Sequence, residues 1–325
     1  MVDLAQKSND SRNARIGRLL SRYGIVLAFV ILFVALSLAH PNFLSTGNIT
    51  NVLRQVSING ILAVGMTFVI LSGGIDLSIG SILAFAGIVA GMLVTGADPG
   101  NPFLAVAAAI GVGALFGAVN GVLVARFKVT AFVATLGMLS MARGATLLLS
   151  DGRPVPNLSP DFRWLGQGFV AGIPVPVICF ALVFVLAWIV LRFTIYGRWI
   201  YAVGGNVRSA RTSGIPTRSV TFSAYAIMGA LAGFAGAILT ARTTSALPQA
   251  GLGYELDAIA AVVIGGTSLV GGVGSVVFTL VGVLIIGVIG NGLDLLGVSS
   301  YYQQIVKGAI IVAAVLIDRS RHAQS

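Results

Sequence analysis

Charge is scarce in this chain. Of its 325 residues, 9% are Asp, Glu, Lys or Arg, where an ordinary soluble domain carries about 25%. A water-facing surface cannot be built from so little. Hydrophobic residues make up 57% of the sequence and the mean hydropathy is +0.98, so a lipid bilayer is the natural solvent. Cys179 is the single cysteine, which excludes an intrachain disulfide framework or a Cys-based zinc site. In its apolar run it reads as a small buried hydrophobe. His40 and His322 lie far apart near segment ends and supply no metal pair. No G-x-x-x-x-G-K-[ST] phosphate loop is present, so ATP binding of that kind is excluded. Gly111-Val112-Gly113 has no third glycine at the dinucleotide spacing, and no Ser/His/Asp or Cys/His pair stands out. No catalytic residue, cofactor or metal is expected. The net charge of +10 suggests nucleic acid at first sight, but the basic residues form no single patch, and no nucleic-acid partner is expected.

What is present is a series of apolar segments. Crossing about 30 Å of hydrocarbon takes about 20 mostly apolar residues in a helix. Ten candidates appear, at about 23–39, 51–72, 78–96, 103–125, 129–149, 174–192, 219–241, 257–270, 275–293 and 302–318; 257–270 is short for a full span. The fold class is therefore an all-α integral membrane protein of about ten transmembrane helices, with polar re-entrant or broken segments. Lys and Arg set the orientation, because they accumulate on the cytoplasmic side. Placing Lys7, Arg12, Arg15, Arg18 and Arg22 inside also places Arg126, Lys128, Arg192, Arg198, Arg208, Arg211, Arg218, Arg319 and Arg321 inside. Arg153, Arg163 and Arg242 fall outside, and Arg54, Arg143 and Lys307 fall within or at the edge of spans. Both termini are then cytoplasmic, as an even number of spans requires. Ser37-Leu38-Ala39 resembles a signal-peptide cleavage site, but the apolar stretch exceeds the usual 7–15 residues and cleavage would spoil the charge segregation. The organisation expected is a cytoplasmic tail 1–22, a transmembrane domain 23–318 with a cytoplasmic loop at about 194–218, and a tail 319–325. Gly117 and Gly121, with Gly229, Gly233 and Gly236, set small residues at helical spacing and predict closely packed helices.

Three segments offer chemistry. In Leu71-Ser72-Gly73-Gly74-Ile75-Asp76-Leu77-Ser78-Ile79-Gly80-Ser81, paired glycines weaken the helix and Asp76 stands among apolar residues. A carboxylate at membrane depth costs about 2.5–3.5 kcal/mol on insertion scales and should face protein or water. Asp76 and Ser78 either cap the third span or line a solute path. A weaker echo, Gly265-Gly266-Thr267-Ser268-Leu269 and then Gly271-Gly272-Val273-Gly274-Ser275, suggests an internal duplication of the kind many transporters carry. The second segment, Gly251-Leu252-Gly253-Tyr254-Glu255-Leu256-Asp257, holds the only glutamate. Glu255 and Asp257 either favour a helix amino terminus or bind a polar solute such as a sugar. Asn59, Asn120 and Asn291 are further polar residues in apolar runs, each an interhelical hydrogen-bond partner or a ligand contact. The third is the basic loop 196–215, where Gly204-Gly205 predicts a turn and Asn206 an N-cap for a short helix ending near Gly214. Such a helix docks on lipid headgroups or on a soluble partner.

Gly73-Gly74-Ile75-Asp76-Leu77-Ser78, the loop from Gly197-Arg198 to Ser213-Gly214-Ile215, the stretch Gly253 to Val263 and the tail Asn291 to Gln303 resemble the bacterial sugar ABC-importer permeases of the ribose type. The likeness runs from about His40 to Asp318. It implies a bacterial inner-membrane location, a homodimer or paired permease, a cytoplasmic ABC ATPase and an extracytoplasmic sugar-binding protein, set in membrane lipid. It also implies that the loop around Gly204, Gly205 and Asn206 is the helix that couples to the ATPase, with Arg208 and Arg211 as docking contacts by charge. Asn59, Asp76, Ser78, Asn120, Glu255, Asp257 and Asn291 are then the substrate-path candidates. The readings outside this class are an ion-coupled secondary transporter using Asp76, and a membrane scaffold. Within the class, the rival is a permease for branched-chain amino acids.

Overall fold

A computed structural model describes residues 24–322. The expected amino-terminal tail and its basic residues lie outside the described residues, as do residues 323–325 and the side chains of Arg319 and Arg321. Helix follows helix: α1 (Gly24–Ala39), α2 (Thr46–Leu71), α3 (Ile79–Leu93), α4 (Pro102–Ala125), α5 (Ala131–Leu149) and α6 (Pro160–Gln167). A two-residue hairpin, β1 (Phe169–Val170) with antiparallel β2 (Ile173–Pro174), leads to α7 (Val175–Phe193), α8 (Ile195–Gly205), α9 (Val207–Thr212) and α10 (Thr217–Thr243). The chain closes with α11 (Tyr254–Ile264), α12 (Val276–Leu295) and α13 (Ser300–His322). Among the described residues, six helices are long and apolar enough to cross a membrane: α2, α4, α5, α7, α10 and α12. The shorter α1 and α3 are apolar too. The eighth expected span is helical only from Tyr254 to Ile264, because the chain breaks at Gly265-Gly266, with Gly266 at φ +80°.

The helices start where local chemistry tells them to. Ser45 accepts from the Asn48 N–H at the head of α2, Asn101 from the Phe103 N–H ahead of Pro102 on α4, and Ser275 from the Val277 N–H on α12. Each satisfies a backbone donor that the first helical turn leaves open.

Helix α2 is the axis of the bundle. Every residue from Val56 to Leu71 is buried, as expected of a helix apolar on all sides, and α7, α10, α11 and α12 pack around it. Outer helices present the opposite pattern: Phe103, Leu104 and Leu115 on α4, Leu148 on α5 and Leu182 and Leu186 on α7 are exposed, the arrangement a lipid solvent favours. The glycine pattern is used as its spacing predicts. A Cβ on Gly113 or Gly117 would strike the Gly229 or Tyr225 backbone, one on Gly233 the Ala109 backbone, and one on Gly236 the Leu83 carbonyl of α3. Helices α4 and α10 therefore meet backbone to backbone.

Candidate functional site: a polar cavity and a glycine junction

At the end of the bundle where α2 begins, a cavity of about 340 Å³ opens between α2, α10, α11, α12 and α13. The volume is near the lower limit of small-molecule pockets, about 300–1,000 Å³. Its wall on α2 is a stripe: Asn51, Gln55 and Asn59 all line it at i, i+4 and i+8, one face of a helix descending about 6 Å per step. Arg242 at the end of α10 donates to Asn51 Oδ1 over 2.7 Å and to Gln55 Oε1 over 2.5 Å. Gln55 Nε2 donates to the Tyr254 hydroxyl oxygen over 3.2 Å. On the opposite wall Asn291 of α12 exchanges amide hydrogen bonds of 2.7 and 3.0 Å with Asn48, and Gln303 donates to Asp294 Oδ1 over 2.7 Å. Lys307 Nζ lies 2.8 Å from Asp257 Oδ2, the one ion pair among the described residues. Arg242 and Lys307 match Asp257 and Asp294, so the lining is balanced in charge and rich in amides. Such a surface offers many donors and acceptors and no net charge.

The candidates chosen from the sequence divide. Asn59, Asp257 and Asn291 meet at the cavity. Asp76, Ser78 and Asn120 meet elsewhere, in a fully buried cluster where α3 begins. Asp76 Oδ1 accepts from the Ser78 N–H at 2.9 Å and from the Ser78 hydroxyl at 2.5 Å, an Asx turn ahead of the helix. Asn120 Nδ2 donates to Ser78 Oγ over 2.9 Å, and the Tyr225 hydroxyl covers the Ile75 carbonyl at 3.3 Å. Ser78 holds the N-cap position of α3 without a side-chain capping bond. Glu255 stands apart from both groups, half-buried, with its carboxylate where a Cβ on Gly80 would be. Neighbouring Arg143 holds the Pro248 and Ala250 carbonyls. The sequence reading passed over Asn51, Gln55, Arg242, Asp294, Gln303 and Lys307 as cavity residues. The four-residue spacing of Asn51, Gln55 and Asn59 was the available signal.

At the opposite end three glycine segments converge. Gly272 N–H donates to the Leu71 carbonyl over 3.0 Å. A Cβ on Gly204 would collide with that same carbonyl and with Gly272 N, and one on Gly271 with Gly73. Gly73, Gly271 and Gly272 have φ of +84°, +96° and +72°, a region L side chains seldom enter. The two glycine motifs that echo one another in sequence thus touch, with Gly204 between them. Gly204 and Gly205 form no turn, contrary to the sequence expectation: both lie in the last turn of α8. The break comes at Asn206, whose backbone is extended and whose side chain accepts from the Ser209 N–H at 3.0 Å to start α9. Arg208 lies on α9 and Arg211 in its last turn.

Residues 48–315 match the family model described as "Branched-chain amino acid transport system / permease component". The chain belongs to this family of transport-system permeases. The permease is 49% identical over 321 residues to the ribose import permease protein RbsC of Bacillus subtilis (strain 168), covering 98% of this chain and 99% of that protein. It is 50% identical over 300 residues to the RbsC of Escherichia coli (strain K12), covering 91% and 93%. Against the D-allose transport system permease protein AlsC of the same organism it is 43% identical over 304 residues, covering 92% and 91%. No solved structure matches the permease.

Proposed function

We propose that this permease is the membrane-spanning subunit of an ATP-binding-cassette importer and forms the path for a monosaccharide, ribose or a related sugar. The observation that carries the reading is the amide-rich, charge-balanced cavity, whose lining suits a neutral solute with many hydroxyls. A branched-chain amino acid would want an apolar pocket, and the only bulky apolar residues of the lining are Val52 and Ile286. The names of the relatives, ribose and allose permeases, point the same way.

In this reading a domain of about ten spans covers residues 23–318, with short cytoplasmic tails on either side, in the inner membrane of a bacterium. The cavity faces the extracytoplasmic side and receives sugar from a binding protein. Asn59, Asp257 and Asn291 belong to the path; Asp76, Ser78 and Asn120 brace the α2–α3 joint, and Glu255 braces the entry to α11. Helices α8 and α9 face the cytoplasm, where Gly204, Gly205 and Asn206 couple to the ATPase and Arg208 and Arg211 dock on it. Two copies pair around the path and alternate access as the ATPase opens and closes.

The test is reconstitution of the permease with its ATPase and binding protein in liposomes. ATP-dependent uptake of labelled ribose that withstands an uncoupler is expected. Uptake that continues without ATP and collapses with an uncoupler would establish the ion-driven alternative instead.

A further inference from the structure

Most polar groups of the cavity are already committed to one another: Arg242 to Asn51 and Gln55, Asn291 to Asn48, Gln303 to Asp294. Asn59 is different. It is 8% exposed, lines the cavity, and its Oδ1 is buried with no hydrogen-bond partner. An orphaned buried acceptor costs about 1–3 kcal/mol; this one has almost no accessible surface, so a donor from the cavity reaches it once the amide turns toward the opening. Asn59 is also the deepest rung of the α2 stripe, about 12 Å along the helix from Asn51. Below it the stripe passes to Ala63, which is fully buried. Lys307 lines the same cavity. Its ammonium has three donors, and one described hydrogen bond, to Asp257, uses one of them.

We propose that Asn59 and Lys307 form a sugar-hydroxyl site inside the permease, so that the permease recognises its solute directly. With its amide turned to the cavity, Asn59 Oδ1 accepts from one sugar hydroxyl, and Lys307 donates to another hydroxyl oxygen of the same sugar. Asp257 holds the ammonium in place and cancels its charge, so the site does not collect anions. The chemistry selects a neutral polyol or aldose with a free hydroxyl pair. A hydrocarbon side chain leaves both groups unanswered, and a site built to hydrogen-bond a hydroxyl discriminates against a ligand that lacks it. The inference rests on the reading of the chain as a sugar permease.

The experiment uses the assembled permease–ATPase complex in detergent, without binding protein, probed with D-ribose by saturation-transfer NMR. Ribose signal is expected for the native complex, and Asn59→Leu and Lys307→Met should each weaken binding about two- to tenfold, the worth of one hydrogen bond. The deoxyriboses give a readout that mere structural damage would not move: the hydroxyl held by Asn59 should matter in the native complex and cease to matter in Asn59→Leu. Should the leucine variant fail to assemble, Asn59→Ser carries the test, with weakened binding expected. An importer that transports ribose, yet gives no ribose signal or the same signal and the same deoxyribose penalties in the variants, overturns the site. An importer that transports no sugar overturns the functional reading beneath it.

Discussion

Gly204 and Gly205 are neighbours in one helical turn with opposite surroundings, which makes them a matched pair for testing the junction. An alanine methyl at 204 would drive into the Leu71 carbonyl and the Gly272 amide, whereas one at 205 would meet nothing within 4 Å. Both substitutions gain helix propensity, by up to about 1 kcal/mol. At 204 the overpacking costs about 1–3 kcal/mol. Parting Gly272 N–H from Leu71 O, a 3.0 Å bond, removes one more backbone pairing, worth about 0.5–1.5 kcal/mol. Gly204→Ala should therefore lower the stability of the purified permease by roughly 1–3 kcal/mol, and Gly205→Ala should leave it unchanged or slightly raised. Thermal unfolding in one detergent gives the comparison directly. In the reconstituted importer Gly204→Ala should also hydrolyse ATP with little ribose uptake, because the junction joins α8 to the α2–α3 and α11–α12 turns. Equal stability of the two variants would refute the packing argument.

The ion pair at the cavity makes a second expectation. Lys307→Met strands Asp257, whose side chain is 7% exposed, whereas Asp257→Asn leaves a lysine that is 30% exposed and able to reach water. The lysine variant should be the less stable, approaching the roughly 3–5 kcal/mol of a broken buried pair, and the double variant should recover part of the loss. Thermal melts of the three proteins decide it; a double variant worse than both single ones would contradict it. For Asp76→Asn, the amide keeps an acceptor for Ser78 but sets a second donor against the Asn120 amide. Stability should fall by about 1–3 kcal/mol while ATP-driven uptake per assembled complex persists. Loss of uptake in a stable complex would return Asp76 to the transport path.

The membrane class and the packing seam were legible because both are local patterns. Apolar segments marked α2, α4, α5, α7, α10 and α12 directly, and glycines at three- and four-residue spacing marked where α4 and α10 touch. The candidate site was half legible. Asn59 and Asn291 stood out as polar residues in apolar runs and Asp257 as a carboxylate at a helix start, but neither signal says which of them share a space. Asp76, Ser78 and Asn120 carried the same signals and satisfy one another in a separate buried cluster. Arg242 and Lys307 were read for membrane side alone, and their role at the cavity depends on α10 and α13 being brought beside α2 by tertiary packing. The Gly204-Gly205 pair marked the end of α8 but not its form: both residues stay helical in its last turn, and the break comes at Asn206. The close passage of Leu71 and Gly272 demands the missing side chain at Gly204 alone; a methyl at Gly205 would meet nothing.

The seam between α4 and α10 has a mechanical consequence. With backbones this close at Gly113, Gly117, Gly229 and Gly233, a side chain at any of these positions would force the two helices apart. Such a seam, to which α3 is joined through Gly236, favours movement of the three helices as one piece.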